Sequence, residues 1–235
     1  MSLPVSPRGT KSIVTYAKAR ALAEFGYRTR FSEDPKRICL FGGTFDPIHK
    51  AHVFIAAEAR RRFHLTRTML IPAANPPHKA ASQLAPYKDR FAMVALACQR
   101  EPGLEASHLE KGGGHNYSID TVERILPLMR PVDTLYFLIG SDAFEEIETW
   151  HRWQDLVRLV EFIVVTRPGN QDKAPEGACI HRIDGLDLPV SSSDIRARLA
   201  AGQPTPELPA AVRQYIDTHH LYGAITPPVR SRAKR

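Results

Sequence analysis

From Lys36 onward the chain alternates between two kinds of apolar pattern. Ile38 to Phe41, Thr68 to Ile71, Leu135 to Ile139 and Phe162 to Val165 are short and continuously apolar. Runs of that kind predict strands buried on both faces, whereas a half-exposed strand would alternate polar and apolar positions. Between them, Val53 to Phe63, Tyr87 to Gln99, Ile119 to Met129 and Trp153 to Val160 return apolar residues at helical spacing. Strand and helix in repetition predict an α/β fold built on a doubly wound parallel sheet with right-handed crossovers.

The punctuation supports these boundaries. Ala85-Pro86 opens one helix with proline in its first turn, and Ser118 stands where an N-cap opens another. Leu208-Pro209 opens a last helix that runs to about His219. The stretch from Pro72 to Pro86 is long and rich in proline and alanine, and loops of that length inside a domain are usually functional.

Composition narrows the class. Hydrophobic residues make up 43% of the 235 residues and charged residues 24%, proportions of a folded globular protein. The net charge of +7 invites a nucleic-acid reading, but the ends carry all of it. Residues 1–35 hold six basic and three acidic side chains, residues 226–235 hold four basic and none acidic, and the 190 residues between are balanced at 22 of each. No excess is left for a phosphate-tracking surface, so no nucleic-acid partner is expected. The organisation read from this is an N-terminal extension over 1–35, one domain over 36–223 and a basic tail over 224–235.

No apolar run approaches the length that spans a bilayer, and no secretory signal opens the chain, so neither a membrane nor export is expected. Cys39, Cys98 and Cys179 are too few and too far apart for a disulfide framework or a thiolate zinc site. A cytoplasmic protein without a resident protein-bound metal is the expectation. Homo-oligomerisation is left open.

The chemistry concentrates in Phe41-Gly42-Gly43-Thr44-Phe45-Asp46-Pro47-Ile48-His49-Lys50-Ala51-His52, which leaves the first strand and enters the first helix. Ligands of open parallel sheets bind beyond the carboxyl ends of strands, where helix starts point N–H groups at anions. Gly42 and Gly43 let phosphate oxygens approach the backbone, and His49 and His52, three apart, project from one face of the helix start. Neither G-x-G-x-x-G nor the P-loop pattern is present. A zinc pair lacks a third ligand at suitable spacing. Late in the chain, Val190-Ser191-Ser192-Ser193-Asp194-Ile195-Arg196 offers hydroxyls, helix-start amides and a guanidinium to an anion.

These two stretches resemble the phosphate loop with H-x-G-H element and the I-S-S-x-x-I-R element of the nucleotidylyltransferases. Ala51 departs from the pattern, since the family carries a glycine there close to the adenine, and the extra methyl is expected to be tolerated. Pro76-Pro77-His78-Lys79, Asn116-Tyr117-Ser118-Ile119-Asp120-Thr121, Gly140-Ser141-Asp142, Trp150-His151-Arg152-Trp153 and the ending Leu208-Pro209 to Leu221-Tyr222-Gly223 resemble the nicotinate-nucleotide adenylyltransferases in particular. The resemblance covers about Arg37 to Gly223 and implies a Rossmann-like fold of the nucleotidylyltransferase type.

It also implies roles. His49, His52 and Arg196 would be catalytic. Gly42, Gly43, Thr44, Phe45, Gly140, Asp142, Ser192 and Ser193 would join them in binding ATP, Asp142 through the ribose. The other reading of Asp142 is a helix N-cap, and the two roles are compatible. Lys79, Tyr117, Ser118 and Trp150 would bind nicotinate mononucleotide, with Trp150 stacked on the pyridine and the amides near Tyr117 and Ser118 on its carboxylate. The reaction implied joins that mononucleotide to AMP from ATP, with Mg2+ on the phosphates, and releases pyrophosphate. Alternatives are an enzyme preferring nicotinamide mononucleotide or another phosphomonoester, and a nucleotide-binding protein without turnover.

Overall fold

Every one of the four apolar runs is a strand of a single parallel sheet. The computed structural model describes residues 34–76, 84–111, 117–166, 174–186 and 189–224. Most of the expected N-terminal extension and all but the first residue of the C-terminal tail lie outside them. The strands are β1 (Arg37–Gly43), β2 (Arg67–Pro72), β3 (Leu104–Ala106), β4 (Thr134–Gly140), β5 (Glu161–Val165) and β6 (Cys179–Ile183), in the spatial order β3-β2-β1-β4-β5-β6. All five neighbouring pairs are parallel.

Among the described residues seven α-helices flank the strands: α1 (Lys50–Arg62), α2 (Tyr87–Cys98), α3 (Ser118–Ile125), α4 (Ser141–Glu145), α5 (Trp153–Leu159), α6 (Ser192–Ala200) and α7 (Ala210–Thr218). Successive strand residues face opposite sides, so the sheet builds two cores. Cys39, Phe41, Leu70, Tyr136, Leu138, Ile163 and Ile183 pack on one side with residues of α1, α2, α6 and α7. Ile38, Leu40, Met69, Ile71, Phe137, Ile139, Phe162 and Val164 pack on the other with α3, α4 and α5. The doubly wound expectation therefore holds.

The expected helix over Ile119 to Met129 stops at Ile125 and passes into a 3-10 turn over Leu126–Leu128, where Pro127 has no N–H to continue the helix. One cap moves by one residue, and the serine run caps its helix as expected. Tyr117, not Ser118, caps α3, and Ser191 caps α6, its Oγ accepting from the Asp194 amide at 3.1 Å.

Candidate active site

β1 and β4 are paired only as far as Leu40 and Phe137. Beyond that point β1 continues along β2 to Gly43 and β4 continues along β5 to Gly140, so the two strands part at their carboxyl ends. This is where the strand order reverses direction, the place at which open α/β sheets hold ligands. Gly42 and Gly140 border the gap, and a Cβ built on either meets no atom within 4 Å. Gly43 answers a different demand, because a Cβ there would press on the Phe45 ring at 2.9 Å.

Between Gly43 and α1 the chain makes a tight turn with Phe45 at φ 48° and a cis Asp46-Pro47 bond. The Phe45 ring is buried edge-on to Phe41 at 5.5 Å and to His52 at 5.1 Å. That ring belongs to the core, so Phe45 can offer a ligand only its backbone. Thr44 stays half-buried, with its carbonyl held by Arg90.

His49 caps α1, and its ring stacks on that of His52 at 3.7 Å. The amide of His49 donates to His52 Nδ1 at 3.4 Å, which leaves the His52 proton on Nε2. The amide of Lys50 donates to the Glu207 carbonyl at 2.8 Å. Two amides at this helix start are therefore already engaged, and the imidazoles become its outward donors. Burial pushes His52 down to about 3, with neighbouring His49 adding to the effect. Burial also pushes His49 down to about 4, against the pull of Glu207. Both rings are neutral at pH 7. Ala51, between them, is buried and helps line an open cleft of about 390 Å3 together with Lys50, Phe54, Val190, Pro206 and Glu207.

The late motif reaches the same turn. Arg196 Nη1 donates to the Asp46 carbonyl at 2.7 Å and lies 3.7 Å from its carboxylate, while Nη2 donates to Ser193 Oγ at 3.3 Å. Ser192 Oγ donates to the Pro47 carbonyl at 3.0 Å. Segments some 150 residues apart thus form one structure, with His49, His52 and Arg196 all on or against the β1–α1 turn. Ser193 is exposed at the first turn of α6.

Sequence reasoning missed the residues that hold this turn in place. Asp46 is 1% exposed, and its Oδ1 accepts from the Ala85 amide at 3.2 Å and the Tyr222 hydroxyl at 2.6 Å. Arg90, 2% exposed, donates to the carbonyls of Ala85, Thr44 and Ala74, so one guanidinium ties both ends of the β2–α2 connection to the β1–α1 turn. Its signal was present, since Arg90 shares a helix face with buried Met93, Val94 and Ala97. A cation on an apolar stripe must find partners. Glu110 is buried too and accepts from Thr121 Oγ1 at 3.1 Å, and burial pushes its carboxyl up to about 7.

The residues expected to receive the mononucleotide gather on the other side of the gap. Trp150 is half-buried, edge-on to Phe137 of β4 at 6.2 Å. Tyr117 lies against His151 at 4.3 Å, and Arg152 pairs with Glu123 of α3 at 2.8 Å, so the Trp-His-Arg-Trp stretch and the start of α3 meet. Ser118 begins α3. Asp142 is exposed in the first turn of α4, but Gly140 is the N-cap there, so the capping role read for Asp142 is incorrect. Lys79 lies outside the described residues.

The sequence profile of the cytidylyltransferase-like family matches residues 40–198. A probable nicotinate-nucleotide adenylyltransferase of Solibacter usitatus is 52% identical over 186 residues, 79% of this chain and 99% of that protein. One from Desulfitobacterium hafniense is 39% identical over 80% of this chain and 96% of its own length. Among solved structures, the Plasmodium falciparum nicotinic acid mononucleotide adenylyltransferase complexed with NaAD superposes with a TM-score of 0.67 at 22% identity, covering 81% of this chain and 98% of that one, a likeness of fold. With the parted strands, the glycine-histidine turn and the serine-arginine helix start in one place, the chain belongs to the cytidylyltransferase-like family and, within it, to the nicotinate-nucleotide adenylyltransferases.

Proposed function

We propose that this protein transfers AMP from ATP to nicotinate mononucleotide, giving nicotinate adenine dinucleotide and pyrophosphate, a step of NAD biosynthesis. The observation that carries the reading is the junction of Arg196 with Asp46 and of Ser192 with Pro47, which joins two donor-rich segments at the open end of β1. The acceptor's phosphate monoester has a second pKa of about 6 and is already ionised at pH 7, so no general base is needed. One of its oxygens attacks the α-phosphorus of ATP in line, and the bond to the β-phosphate oxygen breaks. The site's work is to bring two anions together and to stabilise charge on the α-phosphate and the departing pyrophosphate.

The donors for that work are the Gly42 to Thr44 backbone, the Nε2–H of His52, the His49 imidazole, the first turn of α6 with Ser192 and Ser193, the remaining guanidinium protons of Arg196, and Lys79. Gly140 and Asp142 border the gap where the adenosine ribose lies in this reading. Trp150 offers its exposed surface to the pyridine ring. Tyr117 and Ser118, at the start of α3, offer first-turn amides to its carboxylate.

Mg2+ enters with ATP in this account. Asp46, the carboxylate of the turn, engages Ala85, Tyr222 and Arg196, a donor set that fits a cation carried by phosphates and water better than one held in a protein cage. That ion neutralises phosphate charge when bound. A cytoplasmic setting agrees with three unpaired cysteines, and no helix of the described residues is long and apolar enough to cross a membrane.

The test is to incubate the protein with ATP and Mg2+ plus nicotinate mononucleotide, nicotinamide mononucleotide or phosphopantetheine in parallel, measuring pyrophosphate and adenylylated product. The account expects nicotinate adenine dinucleotide in equal amount to pyrophosphate, at a rate well above either other acceptor. Equal rates with the amide would overturn the selectivity, and no pyrophosphate with any acceptor would overturn the activity.

A further inference from the structure

The opposite end of the sheet carries a second cluster of chemically able side chains. Glu161 opens β5, Cys179 opens β6, and the two are directly paired in register. His181 lies two residues along β6 and so shares the face of Cys179. Its Nε2 is 2.8 Å from Glu161 Oε2 and 4.0 Å from Cys179 Sγ, and one donor atom from each residue falls within 4.8 Å of the others. The cluster lies on the amino-terminal halves of β5 and β6, whereas the adenylyl-transfer site lies beyond the carboxyl ends of the strands.

We infer that Glu161, Cys179 and His181 form a binding site for a zinc-class divalent cation. Thiolate, imidazole and carboxylate together suit zinc and reject Mg2+ and Ca2+, which take oxygen donors. Three protein ligands leave a fourth, tetrahedral position for water, and the separations present need only small side-chain adjustments to reach metal-bound spacing. The surroundings limit how far the ligands can turn. Tyr136, paired in register with Glu161 on β4, has its ring 5.8 Å from that of His181, and the Phe63 ring lies 5.3 Å from His181 beside it. Cys39 and Cys98 are buried in the core, so Cys179 is the thiol a metal can reach.

The spacing of cysteines along the chain hides this site, because two ligands lie on an edge strand and the third comes from its neighbour. A bound cation would cross-link β6 to β5. Since β6 pairs with β5 alone among the described residues, the cation would stabilise an edge strand without touching the transferase chemistry.

The experiment uses untagged full-length protein, stripped with chelator and titrated with Co2+, then with Zn2+. One equivalent of Co2+ is expected to give a thiolate-to-cobalt charge-transfer band and tetrahedral d–d bands, which one equivalent of Zn2+ abolishes. Zn2+ is expected to raise Tm by several degrees. Cys179→Ser should lose the charge-transfer band and the Tm shift while keeping wild-type transferase activity, and His181→Gln should bind at least ten-fold more weakly. The chelated variants' own melting curves report that they are folded. A band that survives Cys179→Ser, absence of any band in the wild type, or an equal Zn2+ effect on Tm in wild type and both variants would overturn the site.

Discussion

Arg196 reaches across 150 residues of chain to donate to the backbone carbonyl of Asp46 at 2.7 Å, and its charge faces a carboxyl group that is wholly buried. One side chain therefore closes the phosphate turn and shares with Arg90 the balancing of its acid. Replacing it should have two separable consequences. Arg196→Ala removes the ion-pair partner of the Asp46 carboxylate and leaves Arg90 as the cation acting on it, and unfolding in urea should show a loss of about 1–3 kcal/mol. Arg196→Lys keeps a positive charge but loses the two-pronged hold on Asp46 and Ser193, so it should recover most of that stability while kcat stays at least roughly ten-fold down. Full activity in the lysine variant would mean that the fork geometry is irrelevant to transfer.

The stacked histidines set an acid limb on stability. Their folded values, about 4 for His49 and about 3 for His52, lie below the ordinary value of about 6.5 that the unfolded chain restores. Acidifying from pH 6.5 therefore protonates the unfolded chain first. The stability these rings contribute is whole above pH 6.5 and falls towards pH 4 at about 1.4 kcal/mol per pH unit for each ring. Urea unfolding from pH 7.5 to 5 should show this slope, and His49→Asn with His52→Asn together should flatten it. An unchanged slope in the double variant would show that the rings do not titrate in this way.

Glu110 acts in the opposite sense. Its folded value is raised to about 7 from 4.5, so the folded state holds a proton that the unfolded chain has released. The stability linked to that proton is whole below pH 4.5 and is lost as the pH rises through 7. Glu110→Gln should therefore stabilise the protein at pH 8 by about 1–3 kcal/mol and change little at pH 4.5, since an amide oxygen can still accept from Thr121. Equal effects at both pH values would contradict the buried-acid assignment.

Most of the fold was legible because parallel strands buried on both faces leave continuous apolar runs, as in Ile38 to Phe41 and Leu135 to Ile139. The two strands that escaped lack that signature. β3 has three residues, and β6 lies at an edge with His181 and Arg182 in its middle. At the site, Gly42, His49, His52 and Arg196 announce themselves through motif spacing. Asp46, Arg90 and Tyr222 do not, because their work is to hold loops together through partners far away in sequence, such as Arg90 with Thr44 and Tyr222 with Asp46. Asp142 shows the reverse error, where a residue type common at caps stands second in a helix capped by the glycine two positions before it.

Trp150 packs edge-on against Phe137 but keeps part of its surface in the open. Trp150→Ala should raise the KM for nicotinate mononucleotide by about ten-fold or more, through lost stacking worth roughly 1–2 kcal/mol, while the KM for ATP changes less than about two-fold. Equal losses for both substrates would assign the ring to general packing instead.

The most direct test of the shared phosphate site is the steady-state kinetics of His52→Ala with ATP and nicotinate mononucleotide. A donor that acts on charge developing in the transition state should cost about 100-fold or more in kcat and leave the KM for nicotinate mononucleotide within about three-fold of wild type. A variant with unchanged kcat and only a raised KM would show that the glycine-histidine turn binds without taking part in the transfer, and the account would be wrong.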